Sequence, residues 1–186
     1  MIGQKLLRLL YRRPKLSLYK AVVELGEDLF REVLDVGGGP GYLLKALLLE
    51  GIKPEQYIVI ELDSKLAEMG EINEVSEVVV GDAHNLPLRA WYGTVVFHDS
   101  LHHFTDPYQV LEGAVAILRA RNSCIVIADI NPSTTIGRII KLVEKLFKFP
   151  AKFIEPEELT EYLSRKDLSI HMVVRKFSYI VTACLS

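Results

Sequence analysis

The chain has only two cysteines and no long apolar stretch. No run of apolar residues reaches the roughly 20 that a membrane-spanning helix needs, and the first residues do not form a signal-peptide pattern. We therefore expect a cytoplasmic protein. Cys124 and Cys184 both lie within apolar runs, so we expect them to be buried strand residues rather than a disulfide or a metal site.

Internal repeats, low-complexity tracts and linkers are also missing from the sequence. Of the 186 residues, 49% are hydrophobic and 25% are charged, as in a globular protein with a sizeable core. We therefore predict a single domain over residues 1–186.

Acidic side chains are nearly missing from two segments, although the net charge of the chain is only −2. Residues 1–20 carry six basic side chains and no acidic one, and residues 134–152 carry five basic side chains and one acid, Glu144. Within them, residues 2–12 and 136–148 have helical spacing, with Ile, Leu and Phe on one face and Lys and Arg on another. The rest of the chain is acidic.

Short β-branched runs alternate with segments of helical periodicity. Strands are predicted at 32–37, 57–61, 77–81, 93–98 and 123–129, and helices at 42–50, 64–70 and 107–120. Strands separated by helices pair in parallel, with helices on both faces of the sheet. Glu155-Pro156 begins a further helix, and residues 170–174 and 177–183 form a hairpin that adds one antiparallel strand. The predicted fold is a doubly wound α/β sheet.

The strongest signal is a glycine-rich turn, VLDVGGGPG, which connects a predicted buried strand to a helix that begins at Tyr42. Glycines allow a ligand to approach the backbone, and the helix N-terminus offers free N–H groups. Two acids follow at successive strand ends. Glu61 lies where such folds place a carboxylate for ribose hydroxyls, and Asp82 can accept a hydrogen bond from an adenine amine. Taken singly, each would be a solvated acid at the end of a strand.

The turn disfavours a nicotinamide dehydrogenase. The dinucleotide pattern G-x-G-x-x-G/A requires a small residue where this chain has Tyr42, and the pattern here is G-x-G-x-G. We infer a cofactor that has no pyrophosphate.

Four motifs resemble those of class I S-adenosylmethionine-dependent methyltransferases, namely VLDVGGGPGYLLKAL, VIELDSKLAEM, GDAHNLPL and VVFHDSLHHFTDP. They are most similar to the small-molecule group that includes ubiquinone and menaquinone biosynthesis enzymes. The resemblance covers about residues 31–130. It implies a Rossmann-like seven-stranded sheet of order 3-2-1-4-5-7-6 with an antiparallel last strand.

The resemblance also implies a set of cofactor-binding residues. Three glycines would surround the methionine part of S-adenosylmethionine, with Asp35 supporting the turn and the ammonium group. Glu61 would hold the ribose, while Leu62, Asp82 and Ala83 would contact the adenine. His98 would approach the methionine end. The glycines are Gly37, Gly39 and Gly41.

Two positions depart from the family pattern. Trp91-Tyr92-Gly93 precedes the fourth strand where an aromatic-Asp pair is usual, and Arg121-Asn122-Ser123 replaces a Pro-Gly-Gly turn. Asn122 can take the left-handed conformation that such a turn needs.

Three residues beyond the fourth strand are predicted to be catalytic, namely Asp99, His102 and His103. A histidine titrates near neutrality and can take a proton from a hydroxyl or an acidic carbon. The alternative is that both histidines only pack or cap the next helix. His98 and His102 have metal-ligand spacing if helical, but no third ligand is evident and we predict no metal site.

The sequence indicates a methyltransferase acting on a small molecule, anionic or amphiphilic in character. Residues 1–30 and 132–152 would cap its pocket, with a cationic rim that also suits transient contact with an anionic membrane. Two alternatives stay open: a cofactor-binding protein without transfer activity, such as a regulatory or partner subunit, and a methyltransferase for RNA or protein. Nucleic acid is disfavoured because no Asn-Pro-Pro-Tyr-type motif is present.

Overall fold

The computed structural model describes residues 18–69, 76–146 and 151–186. Its strands are β1 Glu32–Val36, β2 Gln56–Glu61, β3 Ser76–Val80, β4 Thr94–His98, β5 Cys124–Ile130, β6 Leu168–Val174 and β7 Ser178–Leu185. They form one sheet of order β3-β2-β1-β4-β5-β7-β6. Strand β7 runs antiparallel to both of its neighbours, and the other pairs are parallel. The predicted strand order and the antiparallel last strand are confirmed.

The helices of the described residues are α1 Tyr42–Leu49, α2 Ser64–Glu68, α3 Pro107–Ile117, α4 Thr135–Leu146 and α5 Pro156–Ser164. Residues 18–23 are also helical, and short 3₁₀ turns cover Glu27–Phe30, Ala83–Asn85 and Leu101–His103. Within the described ranges, every helix is too short or too polar to cross a membrane. The predicted cap residues 1–17 and 147–150 lie outside the described residues.

Both faces of the sheet are covered, which explains why its strands are nearly continuous apolar runs. Successive side chains of a strand point to opposite faces. Leu34 and Val36 therefore pack in one buried cluster with Phe97, while Val33 packs in the second cluster with Val96. All seven residues of β5 are buried.

Helix α3 ends three residues before the predicted end at residue 120. Asp106 caps its start as predicted, because its side chain accepts a hydrogen bond from Gln109 N. At its end, Leu118 turns to an extended conformation and pairs with Trp91. Trp91 N donates to Ile117 O at 2.7 Å, which satisfies a carbonyl at the helix end. This tertiary contact, rather than local propensity, ends the helix.

Both departures from the family pattern have a structural role. A side chain at Gly93 would clash with the backbone, because an added Cβ would lie 2.1 Å from Glu32 O. Asn122 has a φ of 73°, so it takes the left-handed conformation expected of it. Ser123 then ties the turn down by donating from Oγ to Tyr92 O at 2.9 Å.

Cys124 and Cys184 form a disulfide, so the prediction of unpaired strand cysteines is wrong. Both residues do lie in strands, and Cys124 is buried. The antiparallel register of β5 and β7 places the two residues directly opposite each other, although they are 60 positions apart in the sequence. Neither apolar run reveals this register by itself.

We expect reduction of the Cys124–Cys184 bond to lower the free energy of unfolding by about 2–4 kcal/mol, because the bond constrains the unfolded chain. Urea unfolding with and without reductant measures the difference. Cys184→Ser is the matched control, since it should be as stable as the reduced parent and insensitive to reductant. Two free thiols in the unreduced parent would contradict the prediction.

Candidate functional site

The glycine turn between β1 and α1 is open on one side. Gly37, Gly39 and Gly41 have φ values of 70°, 55° and 76°, which disfavour any residue with a Cβ. An added Cβ on Gly39 or Gly41 would meet nothing within 4 Å, whereas one on Gly37 would lie 3.0 Å from Ser100 Cβ. The backbone of the turn is therefore packed on the protein at its start and accessible to a ligand at its end.

Glu61, at the end of β2, holds the glycine turn in place. Its Oε2 accepts a hydrogen bond from Gly39 N and its Oε1 accepts one from Asp63 N, both at 2.9 Å. Gly37 N donates to Ile60 O at 2.8 Å, which extends the β1–β2 pairing into the turn. The structure thus brings together the glycines and the carboxylate that the sequence predicts for one site.

Asp35 lies buried at the end of β1, with 1% of its surface exposed. Tyr57 donates from its hydroxyl to Asp35 Oδ2 at 2.6 Å, but Oδ1 has no hydrogen-bond partner among the described residues. Gly38 crosses so close that an added Cβ would lie 2.4 Å from Oδ2. Burial raises the pKa of Asp35 to about 7; the Tyr57 hydrogen bond opposes this, and Glu61 adds to it.

The predicted adenine-binding residues follow β2 and β3. Leu62 is 70% exposed, which is unusual for a leucine and leaves its side chain available to a ligand. Asp82 caps a 3₁₀ turn, because its Oδ1 accepts a hydrogen bond from His84 N at 2.9 Å. This hydrogen bond and the His84 ring hold the pKa of Asp82 below its usual value. Ala83 is buried directly behind it.

His98 and Asp99 end β4 beside the glycine turn. The His98 ring stacks on Tyr19, with ring centroids 4.2 Å apart. Burial raises the pKa of Tyr19, and the Asp99 and Asp35 carboxylates raise it further. Asp99 has a φ of 53° and is held there by donation from its N to Ala128 O at 2.8 Å. A non-glycine residue in this conformation is uncommon, which makes the position a candidate functional one.

His102 lies in a buried cluster between two carboxylates. Its Nδ1 is 2.7 Å from Asp129 Oδ1, and its Nε2 is 3.9 Å from Glu144 Oε1. All three residues are less than 5% exposed. Burial by itself lowers the pKa of His102, but the Asp129 carboxylate, with Asp99 and Glu144, outweighs it and raises the pKa to about 9. At neutral pH the ring is therefore positively charged, with a proton on each nitrogen.

Residues within or directly after the predicted cap segments contact these histidines. Lys152 N donates to His102 O at 2.7 Å, and the Phe153 ring stacks on His102 at 4.5 Å. His103 is exposed, and its ring lies 3.9 Å from that of His102. Together with the Tyr19–His98 stack, these contacts bring both segments to the ends of β4 and β5.

Sequence reasoning missed Tyr19, Tyr57, Asp129 and Glu144. Asp129 is the penultimate residue of β5, close to the strand-end position that identified Glu61, so applying the same rule to β5 would have found it. Glu144 had a weaker signal as the single acid of a basic segment. The two tyrosines had none, because their partners are distant in the sequence.

Two surface grooves lie along α1, and the first of them includes the end of the glycine turn. One is lined by Pro40, Gly41 and Met69, and the other by Tyr19 and Glu50, with Tyr42 lining both. Glu61, Asp82 and His98 line neither groove. The candidate site is therefore defined by the residues predicted to bind the cofactor and not by the shape of these grooves.

The chain matches the family model of a methyltransferase domain over residues 34–126. No curated protein sequence matches the chain. The fold is similar to that of a SAM-dependent methyltransferase, possible histamine N-methyltransferase, from Thermotoga maritima. That match has 18% identity and a TM-score of 0.75, and it covers 98% of this chain and 94% of the other.

Two further solved structures share the fold. A SAM-dependent methyltransferase from Archaeoglobus fulgidus has 18% identity and a TM-score of 0.70, with 93% of each chain covered. Magnesium protoporphyrin IX methyltransferase from Synechocystis, with bound SAH, has 17% identity and a TM-score of 0.66, with 96% of this chain and 84% of that chain covered. The predicted class I methyltransferase resemblance is confirmed, but its ubiquinone and menaquinone subgroup is not specifically supported.

Proposed function

The chain belongs to the methyltransferase domain family, and on that premise we propose that it transfers a methyl group from S-adenosylmethionine to a small molecule. The observation that carries the proposal is the Oδ1 of buried Asp35 beneath the open glycine turn, which has no hydrogen-bond partner within the described part of the chain. A buried carboxylate oxygen without a donor is costly unless a ligand supplies one. The ammonium group of S-adenosylmethionine would be such a donor.

The remaining cofactor contacts follow the order of the strands. Gly37, Gly39 and Gly41 would surround the methionine part, and Glu61 would accept hydrogen bonds from the ribose hydroxyls while still bracing the turn. The exposed side chain of Leu62 would pack on the adenine, and Asp82 with Ala83 would contact its edge. His98 would lie at the methionine end. When bound, the cofactor supplies a methyl group on a sulfonium.

The acceptor side of the proposed site is formed by Asp99, His102 and His103. Because His102 is protonated at neutral pH, it would hold an acceptor by donation or by charge and would not take up its proton. His103 is exposed and is the better candidate for a base. Methyl transfer to an unprotonated acceptor needs no base, since alignment and exclusion of water supply most of the catalysis.

Helix α4 supports an anionic or amphiphilic acceptor, or contact with an anionic membrane surface. Its apolar side chains Ile139, Leu142 and Leu146 are 44%, 58% and 71% exposed. Its basic side chains are exposed as well, namely Arg138, Lys141 and Lys145. Lysines on a helix commonly serve solvation alone, so this part of the proposal needs its own test.

The cofactor assignment is tested by titration calorimetry. We expect S-adenosylmethionine and S-adenosylhomocysteine to bind and NAD not to bind. Glu61→Ala should weaken cofactor binding roughly 10- to 150-fold, because it removes a charged acceptor and the brace on Gly39. Glu55→Ala, at the opposite end of β2, is the matched control and should bind as the parent does. Unchanged affinity in Glu61→Ala would refute the ribose contact, and NAD binding without either methionine compound would refute the function.

A second prediction concerns pH. The cofactor ammonium requires Asp35 ionised, whereas the pKa of Asp35 in the ligand-free protein is about 7. Affinity for S-adenosylmethionine should therefore fall roughly tenfold between about pH 7.5 and about pH 6. Asp35→Asn should weaken binding and remove this dependence. Tyr57→Phe removes the hydrogen bond that favours the carboxylate, so it should move the transition to higher pH.

Folding stability should depend on the ionisation of Asp35 in the opposite direction to cofactor affinity. Because folding raises the pKa of Asp35, its contribution to stability is fully present below the unfolded value of about 3.8 and is lost as the pH rises through about 7. Bound S-adenosylmethionine should offset that loss. An affinity for the cofactor that does not change with pH would contradict the pairing of Asp35 with the ammonium group.

The membrane-contact proposal predicts that the parent sediments with anionic phospholipid vesicles and not with neutral ones. The double variant Lys141→Glu/Lys145→Glu should bind anionic vesicles roughly tenfold or more weakly, because each basic residue near such a surface contributes about 1 kcal/mol. Lys65→Glu/Lys176→Glu changes the net charge equally at exposed positions elsewhere. The proposal would be contradicted if the two double variants bound anionic vesicles equally well, or if binding of the parent did not change with salt concentration. The basic residues of α4 would then have no role in membrane contact.

A further inference from the structure

The cluster around His102 brings together several side-chain atoms that could bind a metal ion. We propose that His102 Nε2, His103 and Glu144 bind one divalent transition-metal ion, with Zn²⁺ as the best-matched class. The candidate ligand atoms of these three residues lie within 4.8 Å of one another. The metal pair considered from the sequence, His98 with His102, is a different set, because the third ligand comes from α4.

The hydrogen bonds of Asp129 fix which nitrogen of His102 faces the metal. Asp129 Oδ1 lies 2.7 Å from His102 Nδ1 and also accepts from Ile130 N, while Oδ2 accepts from His102 N. A carboxylate held in this way keeps a proton on Nδ1, so the metal ion would bind at Nε2 and displace the second proton, which that nitrogen carries in the metal-free protein. The same carboxylate–histidine pairing orients metal-bound histidines in general.

The distance to Glu144 suits a shared ion better than a direct contact. The 3.9 Å between His102 Nε2 and Glu144 Oε1 is too long for a hydrogen bond. At the tetrahedral angle that Zn²⁺ prefers, two ligand atoms about 2.0–2.2 Å from the metal are about 3.3–3.6 Å apart, so Glu144 Oε1 would move by roughly 0.3–0.6 Å to share the ion. His103 is exposed, so its ring can turn toward the same point. Two imidazoles and one carboxylate, with an open fourth position, form the donor set of many catalytic zinc sites.

The backbone holds Glu144 at this point. Gly137, in the first turn of α4, passes so close to Asn131 that an added Cβ would lie 1.9 Å from Asn131 O. Thr134 Oγ1 donates to the same carbonyl at 2.8 Å. Helix α4 is thereby fixed against the segment after β5, and Glu144, two turns later, is 3% exposed on a helix whose other charged residues face solvent. Glu144 Oε1 is paired with the His102 ring at 3.9 Å, and a bound divalent ion would replace that single positive charge with two.

Two of the ligands, His102 and His103, also belong to the proposed methyl-acceptor site. Carboxylate oxygens of Asp99 and Asp129 lie within 4.8 Å of a His102 nitrogen and of each other. The open metal position would hold an anionic oxygen or a nitrogen of the acceptor. This role rests on the proposed function, whereas metal binding itself does not.

The test uses the full chain without an affinity tag, treated with chelator and then dialysed. Co²⁺ is added and its visible absorption is followed, and Zn²⁺ affinity is measured by competition with a chromophoric chelator. We expect one ion per chain, with an absorption that reports four or five ligands including nitrogen. Glu144→Gln and His103→Ala should each weaken binding at least about tenfold, and Asp129→Asn about 10- to 100-fold.

His84→Ala and His171→Ala are the matched controls, because they remove histidines outside the cluster and should leave metal affinity unchanged. His103→Ala alters an exposed side chain, so it keeps the test valid if Glu144→Gln does not fold. Absence of saturable binding in the parent, or equal affinity in the parent and His103→Ala, would overturn the proposal. Calorimetry with S-adenosylmethionine on the same sample separates this result from failure of the proposed function, since the cofactor residues lie elsewhere.

Discussion

The parallel pairing of β1 with β2 and with β4 is the constraint on which the site depends. Parallel strands end at the same edge of a sheet, so Asp35, Glu61 and His98 are brought to one edge although they span more than sixty positions of the sequence. The order reverses at β1, where crossovers leave in both directions and open a crevice. The Glu61–Gly39 hydrogen bond then fixes the glycine turn within that crevice.

Two sets of buried charges lie at this edge, and they are neutralised differently. Among the residues of known placement, Asp35 has one tyrosine donor and one oxygen without a donor, and its pKa is raised to about 7. Asp129 and Glu144 instead flank a histidine of the same chain, whose pKa is raised to about 9. The first arrangement is incomplete without a cationic ligand. In the second, one positively charged imidazole lies between two carboxylates, and a bound metal ion would have to displace the proton on His102 Nε2.

The sequence was sufficient for the sheet and for bringing the predicted cofactor residues to one edge, because both depend on local patterns. Strand ends, a glycine turn and an acid at each strand end are all contained in short windows, and Glu61 and Gly39 meet as their positions predict. The disulfide was not predictable from such windows, because it depends on the β5–β7 register. Glu144 was likewise hidden, since only the packing of α4 shows that this acid is buried in a basic segment.

The two halves of this sheet edge differ in what they say about function, because a methyltransferase and a protein that only binds the cofactor share one half. Both would require Asp35, the glycines and Glu61, so the β1–β2 half of the edge cannot distinguish them. The difference must lie at the ends of β4 and β5, where Asp99 is held in an uncommon backbone conformation and His102 is held by Asp129. Only this half of the edge would face a methyl acceptor, so substitutions there would change transfer and leave cofactor binding intact if the chain is an enzyme.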